Sequence, residues 1–103
     1  MNKLLLLLTT VPNKLLAEQI AKELIERKLS ACISIKEIIS IYKWQENIEE
    51  NNEFELTIKS LPENLNELTL ILKEKSTYEV PELIYKIFES ENSYFQWVKK
   101  SIN

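Results

Sequence analysis

Apolar positions along this chain repeat with two different periods, and the switches between them mark the elements. Leu4 to Leu8 is an unbroken apolar run, as expected for a central strand covered on both faces. Thr9 to Pro12 reads as a turn, after which Asn13 can cap a helix. In that helix Leu16, Ile20 and Leu24 recur at every fourth residue, with Ala17, Ala21 and Ile25 beside them. Glu18, Lys22, Glu26 and Lys28 fill the other side, so the helix runs to about Lys28. From Ser30 to Trp44 the chain is rich in β-branched and aromatic residues and free of Pro, which predicts one long strand. Gln45 to Asn52 reads as a polar turn. Phe54, Leu56 and Ile58 then alternate with Glu55, Thr57 and Lys59, completing a hairpin. Ser60-Leu61-Pro62-Glu63 has the form of a capping box, and Leu61, Leu65, Leu68 and Leu72 mark a second helix to about Lys75. Ser76 to Pro81 connects to a strand at Glu82 to Phe88. Asn92 or Ser93 then caps a last helix with Tyr94, Trp97 and Val98 on one side.

The hairpin is too long for its own domain. A strand of about fourteen residues at ~3.3 Å each spans roughly 45 Å, whereas a compact domain of this size is roughly 33 Å across. Its far end carries Ile38, Ile39, Ile41, Tyr42 and Trp44, which a lone ribbon leaves in water. Exposed apolar ribbon aggregates unless something covers it, and another copy of the chain is the simplest cover. The expectation is an obligate homo-oligomer with Ile39, Ile41, Tyr42 and Trp44 at the contact, joined by Trp97 of the last helix.

The element order predicts an α+β fold: a ferredoxin-like split βαβ sandwich, βαββαβ plus a C-terminal helix, with a long hairpin between its second and third strands. Residues 1–103 read as a single domain, since 103 residues at 45% hydrophobic content suit one core. The fold alone does not indicate function.

Composition then narrows the chemistry. With 13 basic and 16 acidic residues the formal charge is −3, the opposite of a nucleic-acid footprint. There is no histidine, so neither the usual general base nor the usual metal-binding imidazole is available. There is no glycine, which excludes Gly-rich phosphate loops and leaves Asn47, Asn51, Asn52 and Asn92 as the expected positive-φ residues. With no nucleophile–base pair in view, the chain reads as a non-enzyme. A single Cys precludes an internal disulfide and fits a reducing, cytoplasmic setting. The run Leu4 to Leu8 is too short for a signal peptide or a membrane span.

Few residues can bind a metal. Cys32 reads first as a small core residue and second as a ligand. Glu46, Glu49, Glu50, Glu53 and Glu55 form an acidic stretch that reads first as a solvated hairpin tip and second as a weak site for a divalent cation. The thioether of Met1 is the remaining soft donor. No other cofactor is indicated.

A series of segments gives a resemblance. These are Thr10-Val11-Pro12-Asn13, Leu29-Ser30-Ala31-Cys32-Ile33, Ser40-Ile41-Tyr42-Lys43-Trp44, Ile58-Lys59-Ser60, Tyr78-Glu79-Val80-Pro81-Glu82-Leu83-Ile84 and Tyr94-Phe95-Gln96-Trp97-Val98. In that order and spacing they resemble the CutA family of divalent-cation tolerance proteins. The resemblance implies a cytoplasmic homotrimer, assembled by its long hairpins and involved in the response to metal ions. An alternative function is a trimeric small-molecule sensor or scaffold similar to the PII proteins, without metal binding. Where a copper-binding member has a Cys and two consecutive His, the corresponding positions look like Thr9, Lys75 and Ser76. A hydroxyl and an ammonium are poor ligands for such a metal. Pro81 holds Val80 extended, so Tyr78, Glu79 and Glu82 could line a cleft between subunits, with Lys59 supplying the opposite charge.

Overall fold

The computed structural model describes residues 2–103, so Met1 and its thioether lie outside the described residues. The elements are β1 (Lys3–Val11), α1 (Lys14–Glu26), β2 (Cys32–Trp44), β3 (Asn47–Ser60), a 3-10 turn (Pro62–Asn64), α2 (Leu65–Lys75), β4 (Ile84–Glu89) and α3 (Asn92–Ile102). They form one four-stranded sheet in the order β2-β3-β1-β4, with every neighbouring pair antiparallel. This is the expected α+β arrangement, including the long hairpin.

The pleat sorts the side chains onto two faces. On the first, Leu5, Leu7 and Val11 of β1 lie opposite Ser60, Ile58 and Phe54 of β3, and Ile58 and Leu56 in turn face Ile33 and Ile35 of β2. α1 covers this face with Ala17, Ile20 and Leu24, and α2 with Leu68, Ile71 and Leu72, closing the main core. The second face is covered at one end. There Val98 and Ile102 of α3 pack with Leu4 and Leu61.

The hairpin is longer and its turn tighter than the polar residues suggest. Gln45 to Asn52 is not an eight-residue turn: only Gln45 and Glu46 lie between the strands, with φ of 48° and 75°. Successive positive φ angles give the turn a twist that matches the strands it joins. Asn47 to Asn52 continue β3 and pair with Trp44 to Ile39. A thirteen-residue β2 needs a partner of equal length, and ladder hydrogen bonds to it outweigh the weak strand preference of Asn and Glu. The expected asparagines are not the positive-φ residues. Those are Lys28, Gln45 and Glu46. At Lys28 (φ 59°) the main chain closes α1, with its N–H bonded to Ile25 O at 3.0 Å and the Leu29 N–H to Leu24 O at 2.9 Å. That is the Schellman pattern, with lysine where glycine is usual.

Other boundaries shift for similar reasons. β1 continues through Thr9, Thr10 and Val11, because β3 offers Leu56, Glu55 and Phe54 as partners. Asn13 does cap α1, its Oδ1 accepting the Leu16 N–H at 2.8 Å. The capping box at Ser60 does not form. Ser60 ends β3, and its buried hydroxyl donates to Leu29 O at 2.6 Å while accepting from Asn64 Nδ2 at 3.2 Å. Ser30 mirrors it, donating to Lys59 O at 2.8 Å. These two hydroxyls pin the start of β2 to the end of β3. β4 begins at Ile84 rather than Glu82, and the N-cap position of α3 falls on Glu91, with no side-chain capping bond.

The chain extends 46 Å along its long axis against 24 and 22 Å across. At the far end of the hairpin Ile39 and Ile41 are 65% and 66% exposed, Ile48 80% and Trp44 48%. Tyr42 is also exposed there, and Trp97 of α3 stacks on Tyr94 with ring centroids 5.7 Å apart, half in solvent.

Candidate functional site

The principal cleft, about 460 Å³, opens on the second face of the sheet, at the end that α3 leaves bare. Its floor comes from strand positions that the pleat aligns: Thr10 of β1, Glu49 and Glu53 of β3, and Tyr42 and Trp44 of β2. Its wall is the connector between α2 and β4, which contributes Thr77, Tyr78, Glu79, Val80 and Glu82. The structure therefore brings Tyr78, Glu79 and Glu82 together, as expected, and adds Tyr42 and Trp44 from the hairpin.

Local bonds fix the wall. Ser76 Oγ accepts the Tyr78 N–H at 3.1 Å, turning the chain just after α2. The Tyr78 hydroxyl then donates to Glu53 Oε2 at 2.5 Å, tying the connector to β3. Partial burial, and then the carboxylate of Glu53, push the Tyr78 phenol far above the ordinary tyrosine range, so it stays a donor. On the floor, Asn51 Nδ2 donates to the Tyr42 hydroxyl. Glu82 has no such partner. Its pKa is raised, first by partial burial and then by the negative charges of Glu55 and Glu53. No basic side chain lines the cleft.

The remaining candidates lie elsewhere. Lys59 shares the second face but is six positions along β3 from Glu53, or roughly 20 Å. It sits opposite Cys32, a partly exposed free thiol. Thr9 is buried on the first face, among core residues. Lys75 pairs with Glu23 of α1 at 2.9 Å, which together with Arg27 lowers the Glu23 pKa. Ser76 serves the connector turn. Among the described residues no group of three His, Cys, Asp or Glu is placed to hold a metal ion. No helix of the described residues is long and apolar enough to cross a membrane.

Reading Gln45 to Asn52 as a turn keeps Glu49 out of the cleft, and Glu53 enters only as part of the acidic stretch. The signal was present: pairing Tyr42 with the residue seven further on places Glu49 beside it, and alternation from Glu53 back to Glu49 keeps both on one face.

Comparison with known proteins assigns this geometry to a family. The family model for the CutA1 divalent ion tolerance protein matches residues 5–101. The chain belongs to the CutA1 divalent ion tolerance family. The CutA homolog of Xenopus laevis is 41% identical over 91 residues, which make up 86% of this chain and 60% of that protein. The chain thus spans less than two thirds of that relative. The CutA structure from Synechococcus elongatus superposes with a TM-score of 0.94 at 34% identity, covering 100% of this chain and 93% of that one. The structure of the periplasmic divalent cation tolerance protein CutA from Archaeoglobus fulgidus gives 0.91 at 29% identity, covering 97% and 99%. Membership over residues 5–101 agrees with the resemblance that the six segments carry.

Proposed function

We propose that this chain is a divalent-cation tolerance protein that works as a homotrimer and engages its ligand in clefts completed between subunits. One observation carries the reading. The cleft is built where the family-like connector, Tyr78 to Glu82, meets the end of the hairpin, whose apolar side chains a single copy leaves in water. A neighbouring copy that covers Tyr42 and Trp44 therefore sits at the mouth of the same cleft, while Ile39 and Ile41 offer a contact on the opposite face of the hairpin and Trp97 another. In this reading Lys59 of one subunit lies where it can face the carboxylates of another, and residues 1–103 act as one domain. The role is binding rather than catalysis, with self as the partner and no nucleic acid or membrane. A cytoplasmic setting is read from the single Cys.

Thermal melting with metals, nucleotides and carboxylates added singly tests the reading. A molecule that binds the native state raises the midpoint. A rise with one class, lost in the Tyr78→Ala variant, supports the cleft as the working site. No rise with any of them contradicts it.

A further inference from the structure

The hairpin leaves its domain at a definable point. β1 supports β3 from Ser60 as far as Phe54, the partner of Val11, and ends there. From Glu53 to Asn47 the third strand pairs only with Ile38 to Trp44, so seven residue pairs project as a two-stranded ribbon. That ribbon is roughly 23 Å long. Two strands alone are marginally stable without a third.

The first residue beyond the support of β1 is bonded to another element. Glu53 Oε2 accepts the Tyr78 hydroxyl at 2.5 Å. The connector that presents Tyr78 is itself held at both ends. The Ser76 N–H donates to Leu72 O at 3.0 Å and Ser76 Oγ accepts the Tyr78 N–H at 3.1 Å, while Leu83 packs against the main core. Pro81 restricts the backbone between these anchors. Partial burial and the Glu53 carboxylate both keep the Tyr78 phenol protonated at neutral pH, so its donor persists.

From this placement we infer that Tyr78 braces the hairpin, its bond to Glu53 fixing the angle at which the ribbon leaves the domain. The ribbon is a lever, and a swing of about 10° at Glu53 moves its tip by about 4 Å. Contacts between copies pack as densely as protein interiors, so a shift of that size parts Tyr42 and Trp44 from the copy that covers them. A ribbon already held at the right angle loses less freedom on assembly. The inference rests on the reading that a neighbouring copy covers the hairpin, and it gives Tyr78 a positioning part in that assembly. Both partners of the bond belong to one copy, so the brace acts before a neighbour arrives.

Hydrogen exchange of the full chain, read amide by amide, tests the brace with Tyr78→Phe, which keeps the ring and removes the hydroxyl. Amides paired across the ribbon beyond Glu53 should exchange roughly three- to tenfold faster, the span expected for one lost hydrogen bond. Those of Leu5 and Leu7 in the main core should not change. Glu53→Ala should match Tyr78→Phe, and the double variant should be no faster than either single one. Glu53→Gln retains an acceptor oxygen and should exchange almost as the unaltered chain does. An unchanged ribbon in Tyr78→Phe, losses that add in the double variant, or Glu53→Gln as fast as Glu53→Ala would overturn the inference. Sedimentation of the same samples separates the two readings. A trimer whose ribbon ignores Tyr78→Phe sinks the brace and leaves the assembly standing. A monomer whose ribbon responds does the reverse.

Discussion

Ser60 offers the sharpest test of how the hairpin is anchored. Its hydroxyl is fully buried, donates to Leu29 O at 2.6 Å and accepts from Asn64 Nδ2 at 3.2 Å. Ser60→Ala removes both bonds at once and leaves a carbonyl without that partner in a site closed to water. Each lost neutral bond costs on the order of 1 kcal/mol, and an orphaned buried acceptor about 1–3 kcal/mol. The methyl group of alanine fits the space, so no clash adds to this. We therefore expect a loss of about 2 kcal/mol. Ser101 supplies the control, since its hydroxyl makes a bond of similar length, 2.8 Å to Trp97 O, on an exposed helix face. Ser101→Ala should change stability by less than about 0.5 kcal/mol. Urea unfolding at one fixed protomer concentration reads both variants, and with a slope of ~1–3 kcal/mol/M the Ser60 midpoint should fall by roughly 1 M. Equal midpoints for the two variants would show that burial of the Ser60 hydroxyl has no bearing on stability.

Three further expectations follow from the site and its surroundings. Trp44→Ala should shift assembly toward smaller species in sedimentation velocity. About half of a side chain of roughly 200 Å² is exposed, and covering it contributes on the order of 2–3 kcal/mol per protomer. Glu82→Gln should stabilise the protein at pH 7, with the gain fading as pH falls through the raised Glu82 value and gone below about pH 4 in a series of thermal melts. The folded-state pKa of Glu82 is raised, so between its ordinary and raised values the native state holds a proton that the unfolded chain releases. Stability is thus lost as pH rises through that interval, and glutamine removes the loss. Isothermal titration with Cu(II), and with Cu(I) under reductant, should show no submicromolar site. Such binding, abolished in Cys32→Ala, would show that the lone thiol recruits ligands from other copies.

The fold was legible because its strongest signals are periodic. The four-residue repeat of Leu16, Ile20 and Leu24 and the alternation of Phe54, Leu56 and Ile58 both report burial, and the core contains nearly all of them. The misread boundaries have other causes. Asn47 to Asn52, Ile48 apart, have no strong strand preference of their own, and a partner strand of matching length draws them into the ladder, whereas the β-branched Thr9, Thr10 and Val11 read as a turn only because Pro12 and Asn13 follow them. Ser60 shows the limit of local motifs. Its Ser-x-x-Glu spacing is right for a cap, but a buried carbonyl 31 residues away claims the hydroxyl. The candidate site was half visible. Pro81 and the aromatic and acidic residues near it marked the wall, whereas the floor depends on cross-strand register, which only the two-residue turn at Gln45 and Glu46 fixes.

The trimer depends on copies of this chain covering one another's hairpins. Sedimentation equilibrium from one to one hundred micromolar measures this without a probe or a mutation. Three copies of a 12.2 kDa chain, about 37 kDa, with no concentration dependence is the predicted result. A mass near 12.2 kDa throughout would contradict it, leaving Ile39, Ile41 and Ile48 in water for a reason the fold does not supply.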